Sequence, residues 1–194
     1  MKASLPFTLL LLLSACQTPA SAPAAPTSGD PPDLESDALG ASTGLAAFYF
    51  ANPRLEGDAV LERTDGTVNF DWKSGSPGGK VPADGFSARW VAELSAPSSG
   101  TYTLILTADD GVRLWADGQR LIDDWRDHGA LEHRAQVALE AGKKVPLLLE
   151  YYENLGLASV KLEWITPTGV RQVIPRSRLS PVRRSIVNNE RGFY

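Results

Sequence analysis

Residues 102–123 read YTLILTADDGVRLWADGQRLID. In the first half, Tyr102, Leu104 and Leu106 alternate with two threonines and an isoleucine, and this alternation predicts a β-strand with one apolar face. A second strand resumes after the acidic pair and breaks at Asp117-Gly118, a dipeptide favoured in two-residue type I′ hairpin turns. The stretch therefore predicts two successive strands that present two adjacent carboxylates at a loop tip.

The acidic pair is Asp109 and Asp110, and Gly111 follows it directly. Neighbouring residues in a regular strand point to opposite faces, so two adjacent aspartates can serve one site only if the backbone leaves the strand there. Paired carboxylates are hard oxygen donors and suit Ca²⁺, which takes six to eight oxygens. The alternative is that Asp-Asp-Gly only forms a turn, because these residues favour turns for local reasons. The spacing alone leaves both interpretations open.

The amino terminus has the features of a secretory signal: Lys2, an apolar run from Leu5 to Leu13, and small residues before Cys16. The end of this run also resembles the bacterial lipobox, in which the cysteine becomes lipidated. We therefore expect a signal peptide over residues 1–15 and acyl chains, such as palmitate, on Cys16 that anchor the protein to a membrane. The alternative is an ordinary cleaved signal with an accidental cysteine. Gln17, where Asp would favour retention in the inner membrane, indicates a cell-envelope location, and the outer membrane if the host is Gram-negative.

Composition divides the remaining chain into three parts. Residues 16–43 are rich in Pro, Ala, Ser and Gly, and such a segment cannot bury enough apolar surface to fold, so we expect a disordered tether. The folded domain is predicted over residues 44–181. Residues 182–194 carry three arginines without strand or helix periodicity, and we expect them to form a basic tail.

Charge and cysteine content limit the possible partners. The 194 residues include 19 basic and 23 acidic side chains, for a net charge of −4, and the basic residues are scattered outside the tail. Because phosphate binding needs a clustered positive face, nucleic acid is not an expected partner. Cys16 is the only cysteine, so the chain can form no internal disulfide.

Short strand patterns run through the folded region. Residues 86–94 and 158–164 alternate apolar and polar side chains and predict half-buried strands. Two shorter β-prone stretches, residues 60–63 and 68–72, flank a predicted Asp-Gly turn. Residues 74–84 contain enough glycine and proline to exclude helix and central strand alike. Many short strands with no long helical period predict an all-β sandwich or barrel.

The chain resembles the PA14 domain, a β-barrel module, over roughly residues 44–181. The resemblance rests on six stretches: VNFDW at 68–72, FSARW at 86–90, GTYTL at 100–104, DDGVRLWADG at 109–118, EYYEN at 150–154 and ASVKLEW at 158–164. It implies a PA14-like antiparallel fold. Because one fold hosts many functions, the activity has to be argued from the site.

In lectin-like PA14 domains, two adjacent aspartates joined by a cis peptide bind Ca²⁺ together with an Asn and backbone carbonyls of a second loop, and the ion holds sugar hydroxyls. The resemblance therefore implies Ca²⁺ as a cofactor and a glycan or cell-wall polysaccharide as a partner. The implied metal ligands are Asp109, Asp110, Asn154 and the carbonyl groups of Gly156 and Ala158. Trp125 and Asp127, from a nearby loop, are expected to join Asp109, Asp110 and Asn154 in contacting the sugar.

Three classes of function are open from the sequence. A membrane-anchored, calcium-dependent carbohydrate-binding module is expected first, and an envelope structural or protein-interaction module without a sugar ligand is the alternative. An enzyme is not expected, because a glycosidase needs two carboxyls facing each other across a cleft, and adjacent aspartates do not provide them. His128 and His133, without a second cysteine, make a poor zinc set, and each is predicted to be a solvated loop or strand residue.

Overall fold

The computed structural model describes residues 43–182. The predicted signal peptide, Cys16, the tether up to residue 42 and the tail from residue 183 lie outside these residues. Within the described range, no helix is long and apolar enough to cross a membrane.

The described chain consists of strands joined by short connections, with a single turn of 3₁₀ helix at Arg176–Arg178. The strands are β1 Leu45–Phe50, β2 Leu61–Asp65, β3 Asn69–Lys73, β4 Phe86–Ser95, β5 Gly100–Asp109, β6 Val112–Ala116, β7 Gln119–Asp124, β8 Leu131–Leu139, β9 Lys144–Glu153, β10 Ala158–Ile165, β11 Arg171–Val173 and β12 Leu179–Pro181. The prediction of an all-β fold is confirmed.

The strands form two antiparallel sheets. The first has the order β2-β1-β4-β9-β6-β7, with β12 also paired to β4, and the second has the order β11-β10-β5-β8, with β3 also paired to β10. The turn between β6 and β7 has positive φ at both Asp117 (50°) and Gly118 (72°), as a type I′ turn requires. This turn was predicted from the dipeptide alone.

The two sheets bury a shared apolar core. Trp72 of the second sheet lies with its ring centroid 5.5 Å from that of Phe86 and 5.9 Å from that of Tyr151, both in the first sheet. Trp90 and Trp164, one from each sheet, are almost fully buried. The alternation predicted for β10 and β5 places the expected apolar side chains in this core.

The burial of one strand differs from the sequence-based expectation, and the pairing of two other strands is a finding that the sequence patterns did not address. Strand β4 is not half-buried, because Val91 on its other face packs into a second apolar cluster with Phe48 and Leu148. The stretches that flank the Asp65-Gly66 turn do not pair with each other. Strand β2 lies at the edge of the first sheet and β3 pairs with β10 in the second, so the chain changes sheets at this turn.

Strand ends bring the acidic pair close to a second segment. Strand β5 ends at Asp109 and β6 starts at Val112, while β9 ends at Glu153 and β10 starts at Ala158. Ser159 pairs with Asp109, and Val112 pairs with Tyr151. The loop between β5 and β6 therefore lies beside the loop between β9 and β10.

Candidate metal-binding site

The acidic pair occupies the connection between β5 and β6. The peptide bond between Asp109 and Asp110 is cis, as the resemblance to PA14 domains implied. Asp110 is 5 % exposed, and each of its carboxylate oxygens accepts a backbone hydrogen bond. The His128 N–H donates to Oδ1 at 2.8 Å and the Asn154 N–H donates to Oδ2 at 3.0 Å. Asp110 therefore fastens two other loops to its own.

Glu153 adds a third carboxylate to the pair. It is the last residue of β9 and is fully buried. One oxygen of each of Asp109, Asp110 and Glu153 lies within 4.8 Å of the others. The Tyr151 hydroxyl donates to the Asp109 carbonyl at 2.6 Å and lies 3.3 Å from Glu153 Oε2. The other oxygen, Glu153 Oε1, is buried and has no hydrogen-bond partner among the described residues.

The surroundings of the three carboxylates disfavour their ionised forms, as the raised pKa values of Glu153 and Asp109 indicate. Burial, followed by the charges of Asp110 and Asp109, raises the pKa of Glu153 to about 7. Burial and the Asp110 charge also raise the pKa of Asp109. Like charges held close together in a poorly solvated place favour either a bound proton or a bound cation. A cation bound here would give Glu153 Oε1 the partner that it lacks among the described residues.

The dimensions of the carboxylate group fit Ca²⁺. Calcium binds oxygen at about 2.3–2.6 Å, so two ligands on opposite sides of one ion are about 4.6–5.2 Å apart. Carboxylate oxygens that all lie within 4.8 Å of one another can contact a single such ion. Carboxylates are also the hard donors that calcium prefers.

A polar layer lies outside the carboxylates. The Tyr152 hydroxyl donates to Asp127 Oδ1 at 2.7 Å, and Asn154 Nδ2 donates to Asp127 Oδ2 at 2.8 Å. Both hydrogen bonds hold the pKa of the exposed Asp127 below its usual range. Trp125 packs against Tyr152, with ring centroids 4.7 Å apart, and the Arg113 guanidinium lies 3.9 Å from the Trp125 ring centroid. Contacts therefore connect all three predicted sugar-binding residues of this layer: Trp125 packs on Tyr152, and Tyr152 and Asn154 both donate to Asp127.

The second loop holds the remaining predicted ligands. The Gly156 N–H donates to Asp84 Oδ1 at 3.1 Å, and the Asn154 carbonyl accepts from the Gly85 N–H at 2.9 Å. Ala158 is buried at the start of β10, next to the residue that pairs with Asp109. The roles of Asn154, Gly156 and Ala158 as metal ligands stay predictions.

Sequence reasoning missed Glu153 as a member of the group. An acidic residue at the end of a strand normally points to solvent, so its type gave no reason to expect burial. A signal was present in the period of the strand. Glu153 is two residues from Tyr151 and so shares its face, and Tyr151 is a core residue.

The predicted solvation of the two histidines is wrong. The His128 and His133 side chains are only 9 % and 18 % exposed, and both face Asp124. The two residues belong to different segments, a loop and β8, so the pattern of either segment could not show that their rings meet.

The fold and the acidic site together define a PA14 module. The PA14 domain family matches residues 41–178, and the chain belongs to this family. A curated relative, anti-sigma-I factor RsgI3 of Acetivibrio thermocellus, is 39 % identical over 142 residues, which are 73 % of this chain and 22 % of the relative. This chain therefore spans less than a quarter of the length of that relative.

Solved structures agree with the family assignment. An anti-sigma factor domain-containing protein from Clostridium clariflavum has a TM-score of 0.70 and 37 % identity, over 73 % of this chain and 48 % of that one. The PA14 sugar-binding domain from an RTX adhesin has a TM-score of 0.61 and 17 % identity, over 73 % of this chain and 99 % of that one. At that identity, the similarity to the adhesin concerns the fold.

Proposed function

We propose that this chain is a calcium-dependent carbohydrate-binding module, held at the cell envelope by a lipid on Cys16. The observation that carries the proposal is the convergence of Asp109, Asp110 and Glu153 on a point where a divalent cation relieves their mutual repulsion. In this proposal the ion binds the three carboxylates, and the carbonyl groups of the second loop complete its oxygen shell.

The surroundings of the carboxylates support a sugar ligand. Asp127 is exposed beside them and offers oxygen atoms to hydroxyl groups, while Leu155 and Leu157 of the second loop are 75 % and 61 % exposed. Sugar rings have polar edges and apolar faces, so a site with both kinds of side chain suits them. The adhesin domain with the same fold is described as sugar-binding.

The geometry favours binding over turnover. Glu153 has the raised pKa that a catalytic acid needs, but it is fully buried and has no access to a glycosidic bond. A glycosidase also needs its two carboxyls on opposite sides of that bond. One oxygen of each of the three carboxylates instead lies within 4.8 Å of the others, which suits binding of a single metal ion.

Calorimetric titration of the full chain with CaCl₂ tests the metal. We expect one calcium per chain, and an Asp109→Asn variant should bind it at least about tenfold more weakly because a charged ligand is lost. Asp123→Asn is the matched control, since its carboxylate pairs with Arg120 on the exposed hairpin. Equal calcium binding by wild type and Asp109→Asn would exclude the site.

A glycan array probed with and without EDTA tests the ligand. The array carries bacterial and plant cell-wall polysaccharides, and we expect binding that EDTA abolishes and calcium restores. Binding that persists in EDTA would separate sugar recognition from the metal. Calcium uptake without any glycan signal would favour the second candidate.

The second candidate is a protein-interaction module of the envelope. Two neighbouring exposed leucines, Leu155 and Leu157, are the kind of apolar surface that a protein partner covers. Relatives with 37 % and 39 % identity are named anti-sigma factors, which favours a partner other than a sugar. Crosslinking at the cell surface with wild type and a Leu155→Ser, Leu157→Ser variant distinguishes the candidates, because only a protein partner would be lost with the leucines and kept in EDTA.

A further inference from the structure

A second cluster of metal-ligating side chains joins the two sheets. Asp124 is the last residue of β7 in the first sheet, and His133 lies in β8 of the second. His128 lies in the loop between these strands. The Nε2 atoms of His128 and His133 are 3.6 Å and 3.5 Å from Asp124 Oδ2, and the ring centroids of the histidines are 5.9 Å apart.

Both imidazole nitrogens that face this cluster lack hydrogen bonds. The Nε2 atoms of His128 and His133 are buried and have no hydrogen-bond partner within the described residues, and the His128 side chain is only 9 % exposed. Buried polar atoms without partners are uncommon in proteins and need a specific cause, such as a role in binding an ion.

The contacts of the His128 ring indicate which of its two nitrogens is available to bind a metal ion. Its Nδ1 lies 2.8 Å from the Gly129 carbonyl, and because a carbonyl oxygen only accepts, Nδ1 must carry a hydrogen. In a neutral ring, Nε2 then presents a lone pair towards Asp124 Oδ2, which is also an acceptor. Two acceptors that face each other need a proton or a metal ion between them, and a separation of 3.6 Å is too long for a hydrogen bond. A metal-bound histidine has this arrangement, with the second nitrogen donating to a backbone carbonyl.

We propose that Asp124, His128 and His133 bind a zinc ion through Oδ2, Nε2 and Nε2. Zinc binds imidazole nitrogen and carboxylate oxygen at about 2.0–2.2 Å, and tetrahedral geometry puts such ligands about 3.3–3.6 Å apart. The two separations from Asp124 already have this value. The fourth position is open to water.

The donor set separates this ion from calcium. Imidazole nitrogen suits zinc and neighbouring transition metals, whereas calcium takes oxygen ligands. Among charged neighbours, Arg126 binds Asp124 Oδ1 at 2.7 Å and Oδ2 at 3.2 Å. Its side chain is 66 % exposed, so it can keep the bond to Oδ1 while Oδ2 turns to the metal.

A metal ion at this site would fasten the loop between β7 and β8 to both sheets. His128 belongs to the same loop as Trp125 and Asp127, and its backbone N–H donates to Asp110. A bound ion joins the two ends of this loop, β7 and β8, across the seam between the sheets. The zinc site does not depend on the function proposed above, because it uses none of the three carboxylates.

Titration of the full chain with ZnCl₂ tests the proposal. The protein is purified with a tag that contains no histidine, and Cys16→Ser removes the one thiol that could bind zinc elsewhere. We expect one zinc per chain, and at least tenfold weaker binding for Asp124→Asn and for His133→Gln. Asp123→Asn is the control that should retain zinc affinity within about threefold, because its carboxylate pairs with Arg120 and does not belong to the cluster.

Spectroscopy on the protein with Asp124, His128 and His133 intact tests the same site, and its result does not depend on whether the substituted variants fold. The 194 residues contain two histidines, so every histidine side-chain NMR signal comes from the cluster. Zinc should shift the Nε2 resonances of both rings, and Co²⁺ should give the visible absorption of a four-coordinate ion. Absence of zinc binding would overturn the proposal. Zinc binding that leaves either histidine signal unchanged would overturn it equally.

Discussion

Glu153 is a carboxylate in a position that disfavours its negative charge. Its side chain is fully buried beside two aspartates, and burial and their charges raise its pKa to about 7, so the protonated form is favoured far above the pH at which an exposed glutamate ionises. The unfolded chain, with a normal glutamate pKa near 4.5, binds that proton only in acid. A raised carboxyl pKa therefore makes the fold less stable as the pH rises.

The first prediction concerns this pH dependence. In EDTA, the free energy of unfolding should fall by roughly 1–3 kcal/mol between about pH 4.5 and pH 7, because the unfolded chain loses the Glu153 proton over this range while the folded protein keeps it. Glu153→Gln should lose less stability over this range, because the amide does not ionise. Urea unfolding at about pH 5 and about pH 8 measures the difference between the two proteins. An identical pH dependence in both proteins would contradict the assigned pKa.

Gly111 provides the second prediction at this scale. A Cβ atom on Gly111 would overlap the ring of Tyr152, whose hydroxyl holds Asp127. Gly111→Ala should therefore destabilise the fold by about 1–3 kcal/mol, since the ring must move. Gly129→Ala is the matched control, because a Cβ atom there meets no other atom within 4 Å. Urea unfolding of both variants in EDTA makes the comparison, and an equal effect would show that the ring is free to shift.

At the scale of the elements, one buried carboxylate ties three strands of the first sheet together. Asp65, at the end of β2, accepts hydrogen bonds from the Tyr49 hydroxyl in β1 at 2.6 Å and from Trp90 Nε1 in β4 at 2.8 Å. Arg63 Nε lies 2.6 Å from its other oxygen. Asp65 also precedes the turn where the chain changes sheets, so it fixes the point of crossing.

The third prediction follows from this network. Asp65→Ala should lower the free energy of unfolding by about 3 kcal/mol, because it leaves two buried donors and a partly buried arginine without their acceptor. Asp71→Ala, on the exposed face of β3, should change it by less than about 0.5 kcal/mol. Thermal and urea unfolding check both variants. If the two variants cost the same, Asp65 would not hold the strands together.

The strands themselves could be predicted from the sequence, but several of their partners could not. Alternating side chains identified β5 and β10, because burial on one face of a sheet repeats every two residues. The separation of β2 from β3 depends on long-range pairing with β1 and β10, which no local pattern contains. Similarly, Asp109 and Asp110 were recognisable as neighbours in the sequence, whereas the approach of Glu153 required the pairing of the first sheet.

At the scale of the whole molecule, the fourth prediction concerns attachment. Cys16→Ser, expressed in a bacterial host with lipoprotein processing, should move the protein from the membrane fraction to the soluble fraction, because stable anchoring needs acyl chains. Fractionation followed by immunoblotting measures this. Gln17→Asp, which keeps the cysteine, should stay with the membranes. Membrane association of Cys16→Ser would contradict the predicted lipidation.

The pairing of β12 has a consequence for how the module is presented. Leu179 of β12 pairs with Leu94 near one end of β4, and its carbonyl accepts from the Gly44 N–H, so the domain is entered and left at the same place. Glu153 pairs with Phe86 at the opposite end of β4, eight residues away, which is about 26 Å along a strand. The acidic loops therefore lie at the end of the domain that is farthest from its two connections to the rest of the chain, where a large polymer can reach them without contacting either connection.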